Sequence, residues 1–459
     1  MIIDLLVAEI GSTTTVVNAF DKIKTDFPCF LGQGFAPTTI SDVTIGLNNA
    51  LDNLKLVLNV ESLEAKETYA CSSAAGGLRM SVHGLVYNMT VRSAQEAALG
   101  AGANIVYMTA GLLTKKDIER IKQSKIKMVL LSGGVDYGDT HTALYNAQMI
   151  AQAKLNLPVI YAGNVVNQPQ VKEIFEKTGQ LEYLYITENV YPKIDSLNVL
   201  PVRKIIQEVF EKHITEAKGM SKIRQKVNGS IIPTPGAVMK AALLLQENLG
   251  DLVAFDVGGA TTDVFSVTEG NKELTQFQTE PVPFAKRTVE GDLGVFVNKD
   301  NLINSLGLEA IQKELNLDQE TLSTIIEHYQ PIPESDQIPF VKLLTKEALR
   351  TSIERHVGAL RYLYGPTGRI KVIEGKDLTM VKYVIATGGA LTRLPNAPKI
   401  IQDVFARPRK NLLLPQKELT ILIDHDYIMA SIGVVSDKYP RAALKLLLNS
   451  LKVGDLHVS

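Results

Sequence analysis

Apolar and β-branched residues form two closely similar patterns at widely separated places in the chain. Residues 252–267 read LVAFDVGGATTDVFSV, in which an apolar run, a turn with two glycines and a second apolar run follow one another. Residues 5–20, LLVAEIGSTTTVVNAF, repeat that order. Two such runs around a glycine turn are typical of a β-hairpin. The pattern therefore predicts two similar hairpins, and their similarity indicates a duplicated architecture.

Each predicted hairpin has an acidic residue two positions before its first glycine. Glu9 precedes Gly11, and Asp256 precedes Gly258. Glycine lets backbone amides approach an anion closely, and successive amides form a concave nest for phosphate oxygens. A carboxylate beside phosphate is repelled unless a cation lies between them, most simply a hydrated Mg²⁺. The predicted phosphate-binding residues are Gly11, Ser12, Thr13, Thr14, Gly258, Gly259, Ala260, Thr261 and Thr262, and the predicted metal ligands are Glu9 and Asp256.

A third glycine turn follows another apolar run, over residues 383–395 (YVIATGGALTRLP). Here a predicted strand leads into Gly388, Gly389 and Ala390, and a short helix begins before Pro395. A glycine pair between a strand and a helix allows a base or a ribose to pack flat on the backbone, with helix-terminal amides nearby. This turn is therefore the predicted adenosine-binding element.

The order of two phosphate hairpins and a later glycine turn resembles the actin, Hsp70 and sugar-kinase superfamily of ATPases. Within it, most of the chain is similar to the glutamate mutase accessory proteins, the MutL/GlmL family. That family is associated with adenosylcobalamin-dependent carbon-skeleton and amino-group mutases and shares only a name with the mismatch-repair protein. The segments that carry the resemblance are AEIGSTTT, CSSAAGGLRM, LLSGGVDYGDTHTA, YAGN, PTPGAV, FDVGGATTDV and ATGGALTRLP.

The resemblance implies an α/β fold in which two actin-like, ribonuclease H-like halves surround a nucleotide cleft. The first half is expected over residues 1–102 and the second over 221–459, with a helical subdomain around 300–345. Helices are predicted over 344–362 and most of 421–448. ATP and Mg²⁺ are the implied cofactors. In this arrangement the nucleotide joins the two halves across a hinge, and loss of the γ-phosphate removes contacts between them.

Between the two hairpins, the pattern alternates between strands and helices. Apolar runs at residues 127–131, 158–161 and 183–187 alternate with helical spacing at 140–154 and 202–217. Such alternation predicts a parallel sheet, with ligand-binding residues beyond the carboxyl ends of its strands. Residues of that kind here are Gly133, Gly134, Asp136, Asp139, His141 and Asn164. We therefore predict an inserted α/β subdomain over residues 103–220.

Three features of the chain have more than one interpretation. Asp139 and His141 match part of the D-x-H-x-x-G motif whose histidine ligates cobalt in cobalamin domains, but Leu144 stands at the glycine position, which favours a partner-contacting loop or a helix cap. Residues 71–77 either face the nucleotide cleft or form a closely packed loop. Lys286 and Arg287 either meet nucleotide phosphates or are solvated.

The candidate catalytic residue is Glu96, which lies in a predicted small-residue helix. Related phosphatases of the superfamily carry an acid in a similar E-A-x-x-x-G setting, where it orients the attacking water. The alternative is a solvated helix glutamate. The chain departs from the superfamily at Glu9, since most members have aspartate at that position. The extra methylene moves the carboxylate by ~1.5 Å, which changes the metal geometry and hence the hydrolysis rate. Nucleotide binding is expected to survive.

Composition excludes several classes of function. The 459 residues carry a formal net charge of −1 without a basic stripe, so nucleic acid is not an expected partner. Cys29 and Cys71 are the only cysteines, which fits a reducing compartment. The N-terminus has acids inside its apolar run and does not read as a signal peptide, and no apolar run reaches the roughly 18 residues of a membrane span. A cytoplasmic protein is expected.

The leading functional hypothesis is an ATP-dependent chaperone or reactivase for an adenosylcobalamin-dependent mutase of the glutamate mutase type. The expected partners are the mutase subunits, and the expected activity is slow ATP hydrolysis that drives hinge motion. One alternative is a small-molecule kinase, with Asp136, Asp139 or Glu96 as the base facing the γ-phosphate. A nucleotide-regulated scaffold is disfavoured because no amphipathic membrane-binding tail is evident. The sequence does not indicate an oligomeric state.

Overall fold

The computed structural model divides the chain into two compact units. It describes residues 1–39, 41–73, 78–101, 103–194, 196–214, 218–279, 282–365, 368–406, 409, 411–415 and 418–453. The first unit comprises Met1–Thr38, Leu47–Tyr69 and Ala237–Ser459, and the second comprises Thr39–Gly46 and Ala70–Gly236. These bounds differ from the predicted fold halves and insert, which stay a prediction.

The strands of the described residues, in chain order, are β1 Ile2–Ile10, β2 Thr14–Asp21, β3 Cys29–Pro37, β4 Glu64–Ser72, β5 Leu78–Gly84, β6 Ala103–Ala110, β7 Met128–Leu131, β8 Val159–Tyr161, β9 Leu184–Ile186, β10 Ile232–Pro233, β11 Leu252–Val257, β12 Thr262–Val267, β13 Ala285–Glu290, β14 Ala359–Gly365, β15 Gly368–Glu374, β16 Tyr383–Thr387 and β17 Thr420–Ile423.

The helices are α1 Val43–Leu58, α2 Arg92–Gly100, α3 Lys115–Gln123, α4 His141–Gln152, α5 Gln168–Lys177, α6 Val199–Ile214, α7 Met220–Arg224, α8 Thr234–Leu249, α9 Lys272–Thr275, α10 Lys299–Leu306, α11 Leu308–Leu315, α12 Gln319–His328, α13 Ile338–His356, α14 Gly389–Arg393, α15 Ala397–Phe405, α16 Met429–Val435 and α17 Pro440–Ser450. Among the described residues, we find no helix with both the length and the apolar character required to cross a membrane.

The first unit contains two sheets of the same design. In one, β3, β2, β1 and β4 are neighbours in that order, and β1, β2 and β3 form an antiparallel meander. In the other, β13, β12, β11, β16 and β17 follow in order, with β11, β12 and β13 antiparallel and β16 and β17 parallel to β11. A meander whose first strand is extended by further strands is the ribonuclease H-like arrangement. The predicted actin-like α/β fold is thereby confirmed.

The second sheet of the first unit is covered by helix α13. Phe255 of β11 is fully buried and faces Phe405 of α15, with ring centroids 6.2 Å apart. Phe340 and Leu344 of α13 are also fully buried in this core. Burying a side chain of this size contributes about 1.5–3 kcal/mol. The core therefore fixes the position of β11, whose last residues carry the predicted metal ligand.

Small residues let two helices of the first unit approach closely. A Cβ added at Gly433 of α16 would lie 1.8 Å from the carbonyl oxygen of Ala237 in α8. Any side chain at Gly433 would therefore collide with the α8 backbone. This contact sets the position of α16 and of the loop between β17 and α16.

The second unit is built on a five-stranded sheet with the order β6, β5, β7, β8, β9, in which every pair is parallel. The alternating pattern predicts β7, β8 and β9 and the parallel pairing, and both are correct. The pattern does not predict β5 or β6. Strand β5 lies before the predicted insert, and β6 lies at its start. Of the small-residue segment 71–77, residues 74–77 lie outside the described part of the chain.

Candidate functional site

The two predicted phosphate hairpins both belong to the first unit and have the same turn. Gly11 N donates to Thr14 O at 3.0 Å, and Gly258 N donates to Thr261 O at 2.9 Å. The flanking strands β1 and β2, and β11 and β12, pair in antiparallel register up to these turns. The chain therefore folds each acid, glycine and hydroxyl pattern into a tight hairpin of equivalent geometry.

The turns of the two hairpins adjoin each other. A Cβ added at Gly259 would lie 3.8 Å from Thr13 Oγ1 and 3.5 Å from Phe296 Cβ. Ser12 is exposed, while Gly11, Thr13, Thr14, Gly258, Gly259, Ala260 and Thr261 are half-buried. The two glycine turns therefore come from distant parts of the chain to one locality.

The hydroxyl of Thr262, a predicted phosphate donor, already donates to a backbone carbonyl group. Thr262 is fully buried, and its hydroxyl donates to Leu293 O at 2.8 Å. Thr261 Oγ1 donates to Asp263 Oδ2 at 3.2 Å. The Thr262 hydroxyl thus holds the second turn to a neighbouring segment, and backbone amides are the better candidates for phosphate donors in this hairpin.

A segment after β13 fixes the backbone of the second turn. Val295 N donates to Gly258 O at 3.2 Å, and Phe296 N donates to Gly259 O at 2.9 Å. The Asn298 side-chain amide donates to Ala260 O at 2.7 Å. A Cβ at Gly294 would lie 2.2 Å from the Ala260 carbonyl carbon, so this close approach requires glycine.

Thr38 has the corresponding role at the first turn. Thr38 N donates to Thr13 O at 3.0 Å, and Thr38 Oγ1 donates to Gly11 O at 2.9 Å. Both turns therefore have carbonyl groups engaged from outside the hairpin, which preorganises their backbones. The sequence offers no pattern that links Thr38 or residues 295–298 to these turns.

The two predicted metal ligands, Glu9 and Asp256, both have a pKa above the ordinary value of a carboxyl group. Glu9 is buried, and burial together with the negative charges of Asp256 and Asp424 raises its pKa to about 8. Burial and the charges of Asp263 and Asp424 raise the pKa of Asp256 to about 7, opposed by Arg287. Buried carboxylates whose pKa is raised by neighbouring carboxylates lie in a region of unbalanced negative potential. A cation would relieve that potential.

Asp424 and Tyr427 belong to this locality, and sequence reasoning missed both. Asp424 follows β17 and is buried, and Thr387 Oγ1 and Met429 N each donate to its Oδ2 at 2.9 Å. The negative charge of Glu9, together with burial, raises the pKa of the Tyr427 phenol well above its usual value. The available signal was a DHDY sequence directly after an apolar run, the same acid-after-strand pattern that identified Asp256.

The third glycine turn lies against Asp256, the second predicted metal ligand. Gly388 has φ +87, and a Cβ there would lie 2.5 Å from both Asp256 Oδ1 and Val257 N. Only glycine combines this backbone conformation with such an approach. Gly389 and Ala390 begin α14 and are half-buried, and a Cβ at Gly389 meets open space.

Both basic residues of β13 bond to groups of the same unit. Arg287 is buried, and its guanidinium lies 2.7 Å from Asp263 Oδ1. Lys286 Nζ donates to His356 O at 2.6 Å. These bonds connect β13 to its neighbours, so both side chains stabilise the sheet behind the second turn.

The residues at the first two turns fit a hydrated Mg²⁺. Glu9 Oε2 is buried without a hydrogen-bond partner, which is the expected state of an oxygen that a cation or its water would engage. Within the described ranges, no group of three or more His, Cys, Asp or Glu side chains is arranged to hold a metal ion. Mg²⁺ commonly binds through one or two carboxylates with waters and substrate phosphates. Glu9 and Asp256 would therefore hold it together with a nucleotide.

Glu96 belongs to the second unit, unlike the other predicted site residues. It lies in α2, is partly buried, and its Oε1 is 4.0 Å from the Arg203 guanidinium. This cation provides a structural reason for a glutamate at position 96, so the catalytic role stays a prediction.

The polar residues at the carboxyl edge of the parallel sheet fix its loops. Asp139 Oδ2 accepts from Thr142 N at 3.0 Å, as expected for a cap at the start of α4. Asp136 Oδ1 accepts from Val165 N and from the Asn189 side chain, both at 2.9 Å. These carboxylates therefore have structural partners.

Comparisons with known proteins agree with the resemblance of the sequence. The family model described as MutL protein matches residues 5–451. The chain is 39% identical to "Protein MutL" of Clostridium tetanomorphum over 457 residues, which cover 96% of this chain and 98% of that protein.

The comparison with solved structures gives weaker similarities. Nucleotide-free acetone carboxylase has a TM-score of 0.41 at 11% identity, and the match covers 95% of this chain and 70% of that chain. Nucleotide-free diol dehydratase-reactivating factor has a TM-score of 0.37 at 11% identity, and the match covers 95% of this chain and 99% of that chain. The near-complete family match and the 39% identity establish that this chain belongs to the MutL protein family.

Proposed function

We propose that this protein is an ATP-dependent accessory protein, of the chaperone or reactivase type, for an adenosylcobalamin-dependent mutase. The observation that carries the nucleotide part is the pairing of Glu9 and Asp256 beside two adjoining glycine turns, with one buried Glu9 oxygen lacking a partner. Membership of the MutL family supports the accessory role.

In this proposal, backbone amides of the two turns bind the β- and γ-phosphates of ATP. Ser12, Thr13 and Thr14 supply further donors from the first hairpin, and Gly388, Gly389 and Ala390 pack against adenosine. Mg²⁺, bound through Glu9 and Asp256, supplies charge neutralisation for the phosphates. The turns are preorganised by Thr38 and by residues 295–298, so binding ATP requires little reorganisation of either.

ATP would act on the mutase through the contacts that its γ-phosphate makes with both hairpins. Hydrolysis removes those contacts and releases one hairpin from the other. A change from 1:99 to 99:1 between two hinge states needs about 5.5 kcal/mol of differential affinity. A few charge-assisted hydrogen bonds of about 1.5–3 kcal/mol each supply that amount. The predicted halves, residues 1–102 and 221–459, are the proposed moving parts, and residues 103–220 are the proposed insert.

The test of this function is whether the mutase stimulates ATP turnover. The purified chain alone is expected to hydrolyse ATP slowly, and turnover is expected to rise when the adenosylcobalamin-dependent mutase subunits are added. The control replaces them with sugars or small carboxylic acids. If sugars or acids raise turnover and the mutase does not, the protein is a kinase and the proposal fails.

No contact in the described structure favours the kinase alternative. A kinase needs a carboxylate that accepts the substrate hydroxyl proton beside the γ-phosphate. Asp136 and Asp139 bond to backbone and side-chain groups of their own loops, and Glu96 lies near Arg203.

Replacing Glu96 with glutamine tests its proposed catalytic role. If Glu96 orients the attacking water, Glu96→Gln is expected to keep Mg·ATP affinity and to slow hydrolysis by about 10²-fold or more. Affinity is measured by calorimetry and turnover by phosphate release. Arg203→Gln is the control for the structural role, because it removes the nearby cation and keeps the carboxylate. A normal hydrolysis rate in Glu96→Gln would assign Glu96 to stabilising α2 only.

The raised pKa values of Glu9 and Asp256 predict a pH dependence. Since these values, about 8 and about 7, exceed the ordinary ones, the metal-free folded state binds protons that the unfolded chain has released. The free energy of unfolding without metal is therefore expected to fall as pH rises from about 5 to about 8.

The same protons also affect metal binding. Mg²⁺ must displace them, so Mg·ATP affinity is expected to rise tenfold or more between about pH 6 and pH 8.5. The Glu9→Gln, Asp256→Asn double variant is expected to lose this dependence, and an equal dependence in both proteins would contradict the assignment.

A further inference from the structure

Large apolar side chains are exposed at the carboxyl edge of the parallel sheet in the second unit. Tyr137, in the loop after β7, is 84% exposed, and Ile194, in the loop after β9, is 70% exposed. We define the carboxyl-edge face as Leu112, Tyr137, Tyr145, Val165, Val166 and Ile194, all of which are exposed. In the loops of the opposite edge, Leu181 is the one exposed large apolar side chain among the residues that the structure describes. Apolar exposure is therefore concentrated at one edge of this sheet.

Hydrogen bonds join the loops that carry this face. Tyr137 N donates to Asn164 Oδ1 at 3.0 Å, which connects the loop after β7 to the loop after β8. Asp136 N donates to Pro192 O at 3.0 Å, which connects the loop after β7 to the loop after β9. Tyr137 and Ile194 therefore lie on adjoining loops.

The face continues along helix α4 toward strand β6. The backbone groups on either side of Leu112 bond to the side chain of Asn146 in α4, which accepts at 2.8 Å and donates at 2.9 Å. Tyr145 precedes Asn146, and its ring stacks on the exposed ring of His141 with centroids 6.4 Å apart. Leu112 and Tyr145 are therefore neighbours on this surface.

Tyr137 has an unfavourable backbone conformation that its surroundings impose. Its φ is +62, in the left-handed region, which a bulky residue rarely adopts and which is concentrated at functional sites. The buried Asn164 amide accepts from Tyr137 N and donates to Gly138 O at 3.4 Å and to Asp139 O at 3.2 Å. The polar side chain thus braces the loop from inside while the aromatic ring faces solvent. Within this chain the strained residue gains little burial in return.

The exposed area of the face is that of a protein interface. Single apolar side chains on a surface are ordinary, whereas a joined patch marks an interaction site. Given ~150–250 Å² of surface on a tyrosine and less on an aliphatic side chain, the exposed fractions of the six side chains amount to roughly 600 Å². A standard interface buries about 800 Å² on each partner, of which a little over half is apolar.

Exposed charges of both signs border the face. Lys115 follows the loop of Leu112, and Glu188 and Lys193 lie in the loop that carries Ile194. Nucleic acid or an anionic lipid surface would require a basic field of one sign. An apolar centre with tyrosine anchors and a polar rim is instead the composition of a protein–protein interface.

The size of the face also favours a partner that binds and then leaves. Obligate dimers and other permanent complexes bury about 2,000–5,000 Å² in total, against about 1,600 Å² for complexes of standard size. A permanent second copy of this chain would need a larger apolar face. An accessory protein separates from its mutase after acting on it, and a face of standard size suits that cycle.

We propose that the carboxyl-edge face is the surface with which this protein docks on its mutase, with Tyr137 as an anchor. This inference rests on the proposed function. The matching mutase surface is an apolar depression with a polar group for the phenol hydroxyl and with charges of both signs around it. The second unit contains none of Glu9, Asp256 or Gly388, so docking and nucleotide binding use different groups.

The Tyr137→Asn variant tests the anchor. Asparagine adopts the left-handed region readily, so the variant keeps the loop and loses the ring. The affinity of the full chain for the purified mutase subunits, measured by biolayer interferometry with Mg·ATP, with ADP and without nucleotide, is expected to fall at least tenfold. Mg·ATP affinity and ATP turnover without mutase are expected to stay as in the wild type. Phe27→Asn is the matched control, since Phe27 belongs to the first unit and is 81% exposed. It is expected to bind the mutase normally.

A second pair of variants separates the two edges of the sheet. Ile194→Ser is expected to weaken mutase binding about fivefold, and Leu181→Ser, at the opposite edge, is expected to leave it unchanged. Should Tyr137→Asn fail to fold, this pair decides.

Three results would overturn the inference. Wild-type mutase affinity in both Tyr137→Asn and Ile194→Ser would refute the docking face and leave the proposed function standing. A wild-type dimer in sedimentation velocity that Tyr137→Asn dissociates, with mutase affinity unchanged, would show that a second copy covers the face. A wild-type chain that binds no mutase in any nucleotide state would overturn the proposed function together with this inference.

Discussion

Replacing Gly388 with alanine is expected to cause a large loss of stability and of nucleotide binding. The new Cβ would lie 2.5 Å from both Val257 N and Asp256 Oδ1, and φ at this position is +87. Backbone atoms cannot yield as a flexible side chain does, so the collision and the strained conformation together are expected to cost roughly 2–4 kcal/mol. Chemical denaturation measures this loss, and calorimetry measures the accompanying fall in Mg·ATP affinity.

The adjacent glycine provides the control for this variant. A Cβ at Gly389 has nothing within 4 Å. Gly389→Ala is therefore expected to change the free energy of unfolding by less than about 0.5 kcal/mol, although adenosine packed on this turn would bind more weakly. Equal unfolding midpoints for Gly388→Ala and Gly389→Ala would contradict the close approach of the third turn to Asp256.

The second large effect is expected from Asp256→Asn. This change removes the charge of a proposed metal ligand while preserving the size of its side chain, so Mg·ATP affinity is expected to fall tenfold or more, which corresponds to ~1.4 kcal/mol per decade. Without metal, the variant is expected to be at least as stable as the wild type above about pH 7, because Asp256 is repelled by Asp263 and Asp424.

Calorimetry with and without EDTA measures the metal contribution of Asp256. Asp403→Asn is the control. Asp403 lies on helix α15 of the same unit, and its carboxylate is 3.3 Å from Lys346 Nζ. It is expected to keep the wild-type affinity for Mg·ATP. Unchanged Mg·ATP affinity in Asp256→Asn would remove Asp256 from the metal site.

The hairpins were predictable because their information is local. Strand, acid, glycine and hydroxyl follow one another within 16 residues, and the same order occurs twice, in residues 5–20 and 252–267. Short-range turn geometry and strand periodicity determine such elements without reference to the rest of the chain. The structure accordingly has both hairpins with the same turn.

Contacts between distant segments were not predictable in this way. Asp424 comes near Glu9 only after the two sheets of the first unit have formed, and no spacing in the sequence relates these residues. The hydroxyl of Thr262 is a similar case. Its position in a predicted phosphate-binding turn does not indicate that it donates a hydrogen bond to the carbonyl oxygen of Leu293.

One helix prediction was wrong in its end, and another, of a mostly helical segment, included a strand; both differences have identifiable reasons. The predicted helix at 344–362 ends at His356, because the chain turns at Gly358 and continues as strand β14. A Cβ at Gly358 would lie 2.5 Å from the Gly375 carbonyl carbon, so the chain turns where two backbones meet. The segment 421–448, predicted to be mostly helical, contains α16 and most of α17 but begins with residues of strand β17, which pairs with β16. A short apolar run is equally compatible with a helix or a strand until its neighbour is known.

The most direct test of the account is an experimental structure of the chain with Mg²⁺ and a non-hydrolysable ATP analogue. The account predicts that the β- and γ-phosphates lie between the turns at Gly11 and Gly258, with Mg²⁺ bound through Glu9 and Asp256, directly or through water, and adenosine against Gly388. A nucleotide bound away from both hairpins, or Mg²⁺ bound without either carboxylate, would contradict it.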